Sequence, residues 1–403
     1  MRILQICFRM PYPLKDGGAI AMFNMTKGFI EQGNELTLLV PLTAKHDINK
    51  EELPLIFSKL NGLFTVKINS AITAWGAFKN LFTNKPYYLS RYEDKNFADK
   101  LINVLSSQSF DIIQVESLKM SSYIGLIRKY SNARVVLRSH NVEFLIWNRM
   151  ADSLSSGLKK WYLKILVDRL KKYEARYLNL FDAIIPITSV DAATFNEMGC
   201  TVPQFPVPSG IDFDNLTFNS EGLEKNSLFH LGALDWFPNL DAVKWFIDDI
   251  WPLIFAKYPD AKFYLAGRNM PESLLKIKKQ NIVVCGEVED AAAFINAKEI
   301  MVVPLRAGSG MRIKILEGMA LGKIIISTKV GAEGIDYTDG ENILIADTAE
   351  DFLFAYDKIR SNLHFVEKIS LGASELARAK YDNKKIIASL LYNYQILNKV
   401  SAK

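Results

Sequence analysis

Residues 304–322, PLRAGSGMRIKILEGMALG, combine glycines, cations and a carboxylate in one short stretch. The stretch follows an apolar run, IMVV at 300–303, which is typical of a buried strand. Gly308, Ser309 and Gly310 would let backbone N–H groups approach a ligand, and the helix predicted after them would offer its N-terminus to an anion. This pattern is suited to binding phosphate groups.

Three charged residues follow the glycines. Arg312 and Lys314 are suited to a diphosphate, and Glu317 is an acceptor suited to ribose hydroxyls. Together with the glycine loop they predict a sugar-nucleotide site. A simpler interpretation stays open, in which the loop is an ordinary turn and Lys314 pairs with Glu317 at i,i+3 on the helix.

Two further loops carry residues that could take part in chemistry. Gly17 and Gly18 follow the first predicted strand, where they would allow close backbone approach to a ligand or simply form a turn. His140 follows another predicted strand, with Asn141 and Glu143 close behind it. A histidine there could donate a hydrogen bond or relay a proton, or it could be purely structural.

The sequence also excludes some kinds of chemistry. No Asp-x-Asp pair stands at a predicted strand end, and no His/Cys cluster has the spacing of a metal site. The G-x-G-x-x-G fingerprint of nicotinamide enzymes is lacking. We therefore expect no cofactor and no metal ion, with cationic side chains bearing the charge of a phosphate ligand.

The elements that position these residues follow an alternating pattern. With 403 residues, 49% hydrophobic and 23% charged, the chain is predicted to be globular and to form two domains. Short β-branched runs lie at 3–8, 36–40, 64–68, 112–115, 135–138 and 183–187, and at 228–231, 263–266, 282–285, 300–303, 324–327 and 343–345. Segments of helical length separate them, which predicts α/β architecture with two parallel sheets of about six strands each.

The domain boundary is predicted in VPQFPVPSGIDFD, because its three prolines and Ser-Gly suit a linker. This gives a first domain over 1–207 and a second over 208–382, followed by a final helix at about 383–398. Ligands of open α/β sheets bind at the carboxyl ends of strands, so two facing sheets would enclose a cleft.

Charge and targeting signals limit the partners and the location. The net charge of +5 is too small to indicate nucleic acid. Residues 157–181 and 360–403 are rich in Lys and Arg, which fits either a solvated helix surface or peripheral contact with an anionic membrane. The N-terminus is predicted to be a strand rather than a secretory signal, and three widely spaced cysteines suit a reducing compartment. We expect a cytoplasmic protein, with the inner face of the cytoplasmic membrane as the place of any membrane contact.

Taken in order, several segments resemble the family 4 glycosyltransferases (group 1 glycosyl transferases), which have the GT-B fold. They are PYPLKDGG, SHNVE, SGID, FHLGALDWFPN, FYLAG, GEVED and VVPLRAGSGMRIKILEGMALGKIIISTKVGAEGI, and they span most of the chain. The resemblance implies two facing Rossmann-like domains, with the final helix crossing back to the first. It implies transfer of a hexosyl group, with retention, from a nucleotide-diphosphate sugar to a saccharide or lipid-linked saccharide in polysaccharide or glycolipid synthesis. The acceptor would lie mainly in the first domain, which places Asn141 and Glu143 on the acceptor side.

The resemblance also assigns roles to individual residues. Glu317 matches the second glutamate of the family's E-x7-E motif, which holds the ribose. Gly17 and Gly18 match the loop near the donor diphosphate. His140 matches the active-site histidine near the transferred sugar.

Two departures from the family pattern matter. The first glutamate of E-x7-E falls at Ser309, and the usual Arg–Lys pair that holds the donor phosphates falls at Ala233 and Pro238. We interpret Arg312 and Lys314 as replacements for that pair, with a catalytic role in stabilising the departing diphosphate. Two other functions stay open, namely a nucleotide-sugar 2-epimerase and a non-catalytic sugar-nucleotide-binding protein.

Overall fold

A computed structural model of the protein describes all residues except 45–49, 81, 84, 153–155, 217–221, 309 and 400–403. The chain divides into two compact units, one of Met1–Ser209 with Asn383–Lys403 and one of Gly210–Asp382. The change of unit at Ser209 follows the proline-rich segment. Each unit contains a six-stranded sheet.

The sheet of the first unit has the strand order β3-β2-β1-β4-β5-β6, and all its neighbouring strands are parallel. The strands are β1 Arg2–Ile6, β2 Glu35–Leu42, β3 Gly62–Lys67, β4 Ile112–Glu116, β5 Arg134–Ser139 and β6 Ala183–Pro186. The β1 and β4 strands lie at the centre, and their β-branched residues are buried on both sides, as is usual in parallel sheets.

Helices connect these strands, because parallel neighbours require crossover connections. They are α1 Gly17–Glu31, α2 Ala74–Asn80, α3 Tyr87–Ser90, α4 Lys95–Ser107, α5 Ile124–Tyr130, α6 Glu143–Asp152, α7 Leu158–Leu178 and α8 Ser189–Glu197, with short 3₁₀ turns at Lys50–Glu52, Leu55–Lys59 and Leu118–Tyr123. The first helix begins at Asp16, whose side chain accepts a hydrogen bond from the Ala19 N–H at 3.1 Å.

The second unit repeats the plan with the strand order β12-β11-β10-β7-β8-β9, again parallel. Its strands are β7 Glu224–Leu231, β8 Lys262–Ala266, β9 Ile282–Gly286, β10 Lys298–Val303, β11 Ile324–Ser327 and β12 Leu344–Ile345. Its helices are α9 Phe237–Trp245, α10 Trp251–Lys257, α11 Glu272–Leu275, α12 Ala291–Asn296, α13 Ile313–Ala320, α14 Ala349–Ser361 and α15 Leu363–Lys380, with a 3₁₀ turn at Phe213–Asn215 and a π-helical turn at Phe246–Ile250 between α9 and α10. A strand is found at each of the twelve sequence-predicted runs.

The last helix, α16 Asn383–Lys399, packs on α1 of the first unit. Its Asn383 side-chain amide donates to the Asn24 carbonyl at 2.8 Å. The close approach of the two helices depends on Gly28, since a Cβ there would overlap Cγ1 of Ile387 and lie 3.1 Å from its Cδ1. The final helix is therefore part of the first unit, as the resemblance implies.

This contact gives a prediction about stability. We expect Gly28→Ala to lower the free energy of unfolding by about 1–2 kcal/mol, because the added methyl group overpacks the interface with Ile387. Gly125→Ala is the matched control: it is an exposed helical glycine with nothing within 4 Å of its added Cβ. It should be neutral or slightly stabilising. Urea unfolding of both variants checks this, and equal effects would contradict it.

Candidate functional site

The carboxyl ends of β1, β4 and β5 are neighbours, so the loops after these strands meet at one edge of the first sheet. His140 follows β5, and its Nε2 lies 2.7 Å from Oε2 of Glu116, the last residue of β4. The Glu116 side chain is fully buried, whereas 9% of the His140 side chain is exposed. Within the described part of the chain, Nδ1 of His140 makes no hydrogen bond. One ring nitrogen is thus held by a carboxylate, and the other has no hydrogen-bond partner among the described residues.

The Glu116 carboxylate has four partners, each from the central strands or the loop beyond them. Beside His140, Gln5 and Gln114 donate from Nε2 to Oε1 at 2.7 and 2.5 Å. Nε of the buried Arg138 lies 3.8 Å from Oε2. Burial acts to raise the pKa of Glu116, but the His140 hydrogen bond and the Arg138 charge outweigh burial and hold the pKa below its usual value. Glu116 is therefore ionised at neutral pH.

The same network continues into two helices. The Thr26 hydroxyl on α1 donates to Oε1 of Gln5 at 2.8 Å. The Tyr394 hydroxyl on α16 donates to Oε1 of Gln114. A continuous set of buried hydrogen bonds thus joins α1, α16 and the two central strands to the His140 side chain.

The structure places Gly17 and Gly18 in the first turn of α1. Just before them, Asp16 is bound by Arg9, with Nη1 of Arg9 2.8 Å from Oδ2 of Asp16. A Cβ on Gly18 would lie 2.8 Å from Nη2 of Arg9. The glycine therefore makes room for the Arg9 guanidinium beside the helix start, which adds a cation that sequence reasoning did not identify.

Asn141 and Glu143 lie beyond β5, next to His140. The Asn141 carbonyl accepts a hydrogen bond from the Ser139 hydroxyl at 2.8 Å. Glu143 is buried at the start of α6, and its backbone N–H donates to Oε1 of Glu174 at 3.1 Å. Burial raises the pKa of Glu143, while the charge of Lys119 opposes this increase. Burial and the Glu143 charge together raise the pKa of Glu174 to about 8.

In the second unit the glycine loop lies between β10 and α13. Gly308 and Gly310 have φ of 132° and 82°, which side chains rarely adopt. The Arg312 guanidinium donates to the Gly310 carbonyl, and a Cβ on Gly308 would overlap its Nη2. Ser309 lies outside the described residues. The two glycines therefore bring backbone and guanidinium into contact at the start of α13.

Lys314 and Glu317 form an ion pair on α13, with Nζ and Oε2 2.6 Å apart. The i,i+3 pairing that the sequence left open is thus present. The two side chains are 31% and 16% exposed, respectively. A partly exposed pair of this kind contributes little stability, so a ligand can compete for either member.

Sequence reasoning missed the buried network around Glu116. A signal for it does exist, because Gln5, Gln114 and Arg138 stand beside or within the apolar runs of three predicted strands. Among the described residues, no three His, Cys, Asp or Glu side chains are grouped so that they could hold a metal ion. The expected roles of the site residues remain predictions.

Comparisons with known proteins bear on this site. Residues 225–362 match the family model "Glycosyl transferases group 1", and this region includes the glycine loop with α13. An "Uncharacterized 44.6 kDa protein in cps region" of Klebsiella pneumoniae is 22% identical, with 96% of this chain and 98% of that protein covered.

Solved structures resemble the whole chain. Sucrose-phosphate synthase from Thermosynechococcus elongatus gives a TM-score of 0.73 at 13% identity, with 100% of each chain covered. HepE of Anabaena in complex with UDP-glucose gives a TM-score of 0.66 at 11% identity, with 97% of this chain and 99% of that chain covered. The predicted α/β fold of GT-B type is confirmed, and the second unit carries a region that matches the group 1 glycosyl transferases.

The Glu116 network gives a prediction about pH. We expect Glu116→Gln to lower the free energy of unfolding at pH 7 by about 3 kcal/mol, because it leaves the buried Arg138 charge without a counter-ion. Because the folded-state pKa of Glu116 is lowered, its contribution is complete above the unfolded-state pKa of about 4.3 and is lost as pH falls through the folded-state pKa. The difference between wild type and variant should therefore begin to shrink as pH falls below about 4.3.

Guanidinium unfolding at several pH values measures the difference. Glu272→Gln is the control, since Glu272 forms an ion pair on α11 with a side chain that is 81% exposed. It should leave stability nearly unchanged at every pH. A Glu116→Gln effect that stays constant down to pH 3 would contradict the ionised, stabilising carboxylate.

Proposed function

We propose that the protein is a retaining glycosyltransferase that moves a hexosyl group from a nucleotide-diphosphate sugar to a hydroxyl acceptor. The glycine loop with Arg312 is the observation that carries the proposal, because it lies inside the region that matches the group 1 glycosyl transferases. Likeness to HepE, which was solved with UDP-glucose, supports a sugar-nucleotide donor. The relative from a cps region supports a role in surface polysaccharide or glycolipid synthesis.

The donor diphosphate is proposed to bind at Gly308, Gly310 and Arg312. Pro238 occupies the position where the family has a phosphate-binding lysine, and its Cβ lies 4.0 Å from the Cβ position of Gly308. The Arg312 guanidinium overlaps that same Cβ position. The Arg312 guanidinium thus lies close to the position that the family's phosphate-binding lysine would occupy, although it comes from another loop. A preorganised cation there stabilises the charge that develops on the departing diphosphate.

We propose that His140 binds a hydroxyl of the transferred sugar. With Nε2–H donated to the Glu116 carboxylate, Nδ1 carries a lone pair and can accept a hydrogen bond from a sugar hydroxyl. Glu116 acts as a positioning residue, because it fixes this tautomer and orientation. The proton of the acceptor hydroxyl then passes to the leaving phosphate, in a front-face reaction that needs no metal ion.

The proposal places the enzyme in the cytoplasm, at the inner face of the cytoplasmic membrane. No helix among the described residues is long and apolar enough to cross a membrane. The first unit nevertheless exposes several aromatic and aliphatic side chains on and around α2 and at the start of α7: Ile72, Trp75, Phe78, Phe82, Leu158 and Trp161.

The two helices that carry most of these groups contact each other, and a lysine lies beside Trp75. Arg169 of α7 donates to the carbonyl of Asn80, the last residue of α2, at 2.8 Å, so the two helices are neighbours. Nζ of Lys79 lies 5.2 Å from the Trp75 ring centre. Exposed tryptophans with lysines beside them suit the interface of an anionic membrane.

The donor site is tested by nucleotide binding. We expect one nucleoside diphosphate to bind the wild type and Arg312→Ala/Lys314→Ala to bind it about 100-fold more weakly, because two charge-assisted contacts are lost. Calorimetry with a panel of nucleoside diphosphates measures this. Lys276→Ala is the control, since Lys276, just after α11, forms an ion pair of the same 2.6 Å length with Glu272.

Three outcomes would contradict the proposal. If the wild type binds no nucleotide, the proposal of a sugar-nucleotide donor is wrong. If it binds a nucleotide sugar without transferring it to any acceptor, the protein is a non-catalytic binder. If it interconverts nucleotide sugars with no acceptor present, it is an epimerase.

The membrane surface is tested with vesicles. We expect Trp75→Ser/Trp161→Ser to weaken binding to phosphatidylglycerol-containing vesicles about tenfold, because two interfacial anchors are lost. Phe354→Ser is the control: Phe354 is 60% exposed on α14 and, like Trp75, has a lysine beside its ring. Co-sedimentation measures binding, and an equal loss in the control variant would argue against a specific surface.

A further inference from the structure

Lys119 has an unusual environment at the same edge of the first sheet as His140. It lies in the 3₁₀ turn just beyond β4, with Nζ 4.1 Å from the ring centre of Phe8, 5.0 Å from that of Tyr88 and 6.0 Å from that of Tyr92. Among the described residues, its ammonium group makes no hydrogen bond and no ion pair. Its three N–H donors therefore have no acceptor among the described residues.

Burying the Lys119 ammonium group between these rings lowers the stability of the fold. Burial lowers the pKa of Lys119 to about 8, although the charges of Glu143 and Asp16 favour its protonated form. Contacts with aromatic faces recover only about 1–2 kcal/mol of the lost hydration. A methionine or leucine would fill the space between the rings without that cost, so packing alone does not explain a lysine.

Two arginines add to the positive charge. The Arg9 guanidinium lies 5.4 Å from the centre of the same Phe8 ring, and that of Arg91 lies 6.0 Å from the Tyr88 ring. Both arginines disfavour the charged form of Lys119, which shows that the three cations act on one another. In each arginine, Nε is buried and has no hydrogen-bond partner. Because Arg9 is paired with Asp16, Lys119 and Arg91 supply the positive charge that fits an anion.

The position of this cluster indicates which ligand would carry the anion. Phe8 contacts His140 edge to face, with ring centres 6.0 Å apart, so one ring separates Lys119 from the proposed catalytic histidine. The rings of Phe8 and Tyr88 also offer apolar faces on which a sugar ring can pack. A charged group one sugar ring or less from the reacting hydroxyl would reach Lys119.

We propose that the Lys119 ammonium, held between Phe8 and Tyr88, binds an oxyanion carried by the acceptor saccharide, either a carboxylate or a phosphate. This inference rests on the proposed transferase function and narrows its acceptor to an acidic saccharide. Arg91 adds positive charge to the subsite, and Lys119 supplies the direct hydrogen bonds.

Saturation-transfer NMR with the full-length protein tests this, with glucuronate, glucose 1-phosphate and glucose as probes at millimolar concentrations. We expect one of the two charged sugars to bind more tightly than glucose, which identifies the oxyanion. Lys119→Met should bind that sugar about 10- to 100-fold more weakly, as for the loss of a hydrogen bond to a charged group. Lys119→Arg should retain most of the preference.

Lys129→Met is the matched control, because Nζ of Lys129 also lies over an aromatic ring, 5.3 Å from the centre of Tyr130, on the exposed side of α5. It should bind all three sugars as the wild type does. Thermal unfolding of each variant shows that it is folded.

The inference is overturned if the wild type shows no preference for either charged sugar, or if Lys119→Met keeps the preference. It is also overturned if Lys119→Met loses affinity for uridine diphosphate while its sugar binding is unchanged, since Lys119 would then serve the donor. Failure of the proposed function itself gives a different result, because the wild type would then bind no nucleoside diphosphate.

Discussion

The buried carboxylate of Glu116 organises the central strands of the first unit. A fully desolvated charge is tolerated only when hydrogen bonds and an opposite charge surround it. Gln5, Gln114, Arg138 and His140 satisfy this requirement, and the strand order that makes β1, β4 and β5 neighbours brings them together. Because the buried carboxylate requires these partners, it constrains both the register of the central strands and the orientation of His140 at the sheet edge.

The two proposed binding regions hold their charges in different ways. In the second unit, Arg312 donates to the Gly310 carbonyl and Lys314 pairs with Glu317, so an incoming ligand exchanges one set of contacts for another. In the first unit, Lys119 is held among rings with its donors unused. A ligand there would not have to replace a protein partner of the ammonium group. The first arrangement makes binding reversible at little cost, and the second keeps a site ready at a cost to stability.

The positions of the twelve strands and of the glycine loop followed by α13 could be predicted from the sequence, because both depend on local patterns. Apolar runs, glycines and a charged helix start lie within a few residues of one another. The Glu116 network could not be predicted in this way, since Gln5 and Glu116 are 111 residues apart and meet only once the strand order is known. Arg9 was missed for a related reason. The first strand ends at Ile6 rather than at residue 8, so that Phe8 and Arg9 leave the sheet and turn toward the site.

The return of α16 to the first unit has a consequence for the order of folding during synthesis. The side-chain Oε1 of Gln114 in the core accepts a hydrogen bond from the Tyr394 hydroxyl, and Tyr394 is translated 280 residues later. Gly210–Asp382, by contrast, contains all of its own strands and is complete before residue 394 is made. The first unit thus lacks its α16 contact until the whole second unit has been translated, and the hydrogen-bond network around His140 depends on that later segment.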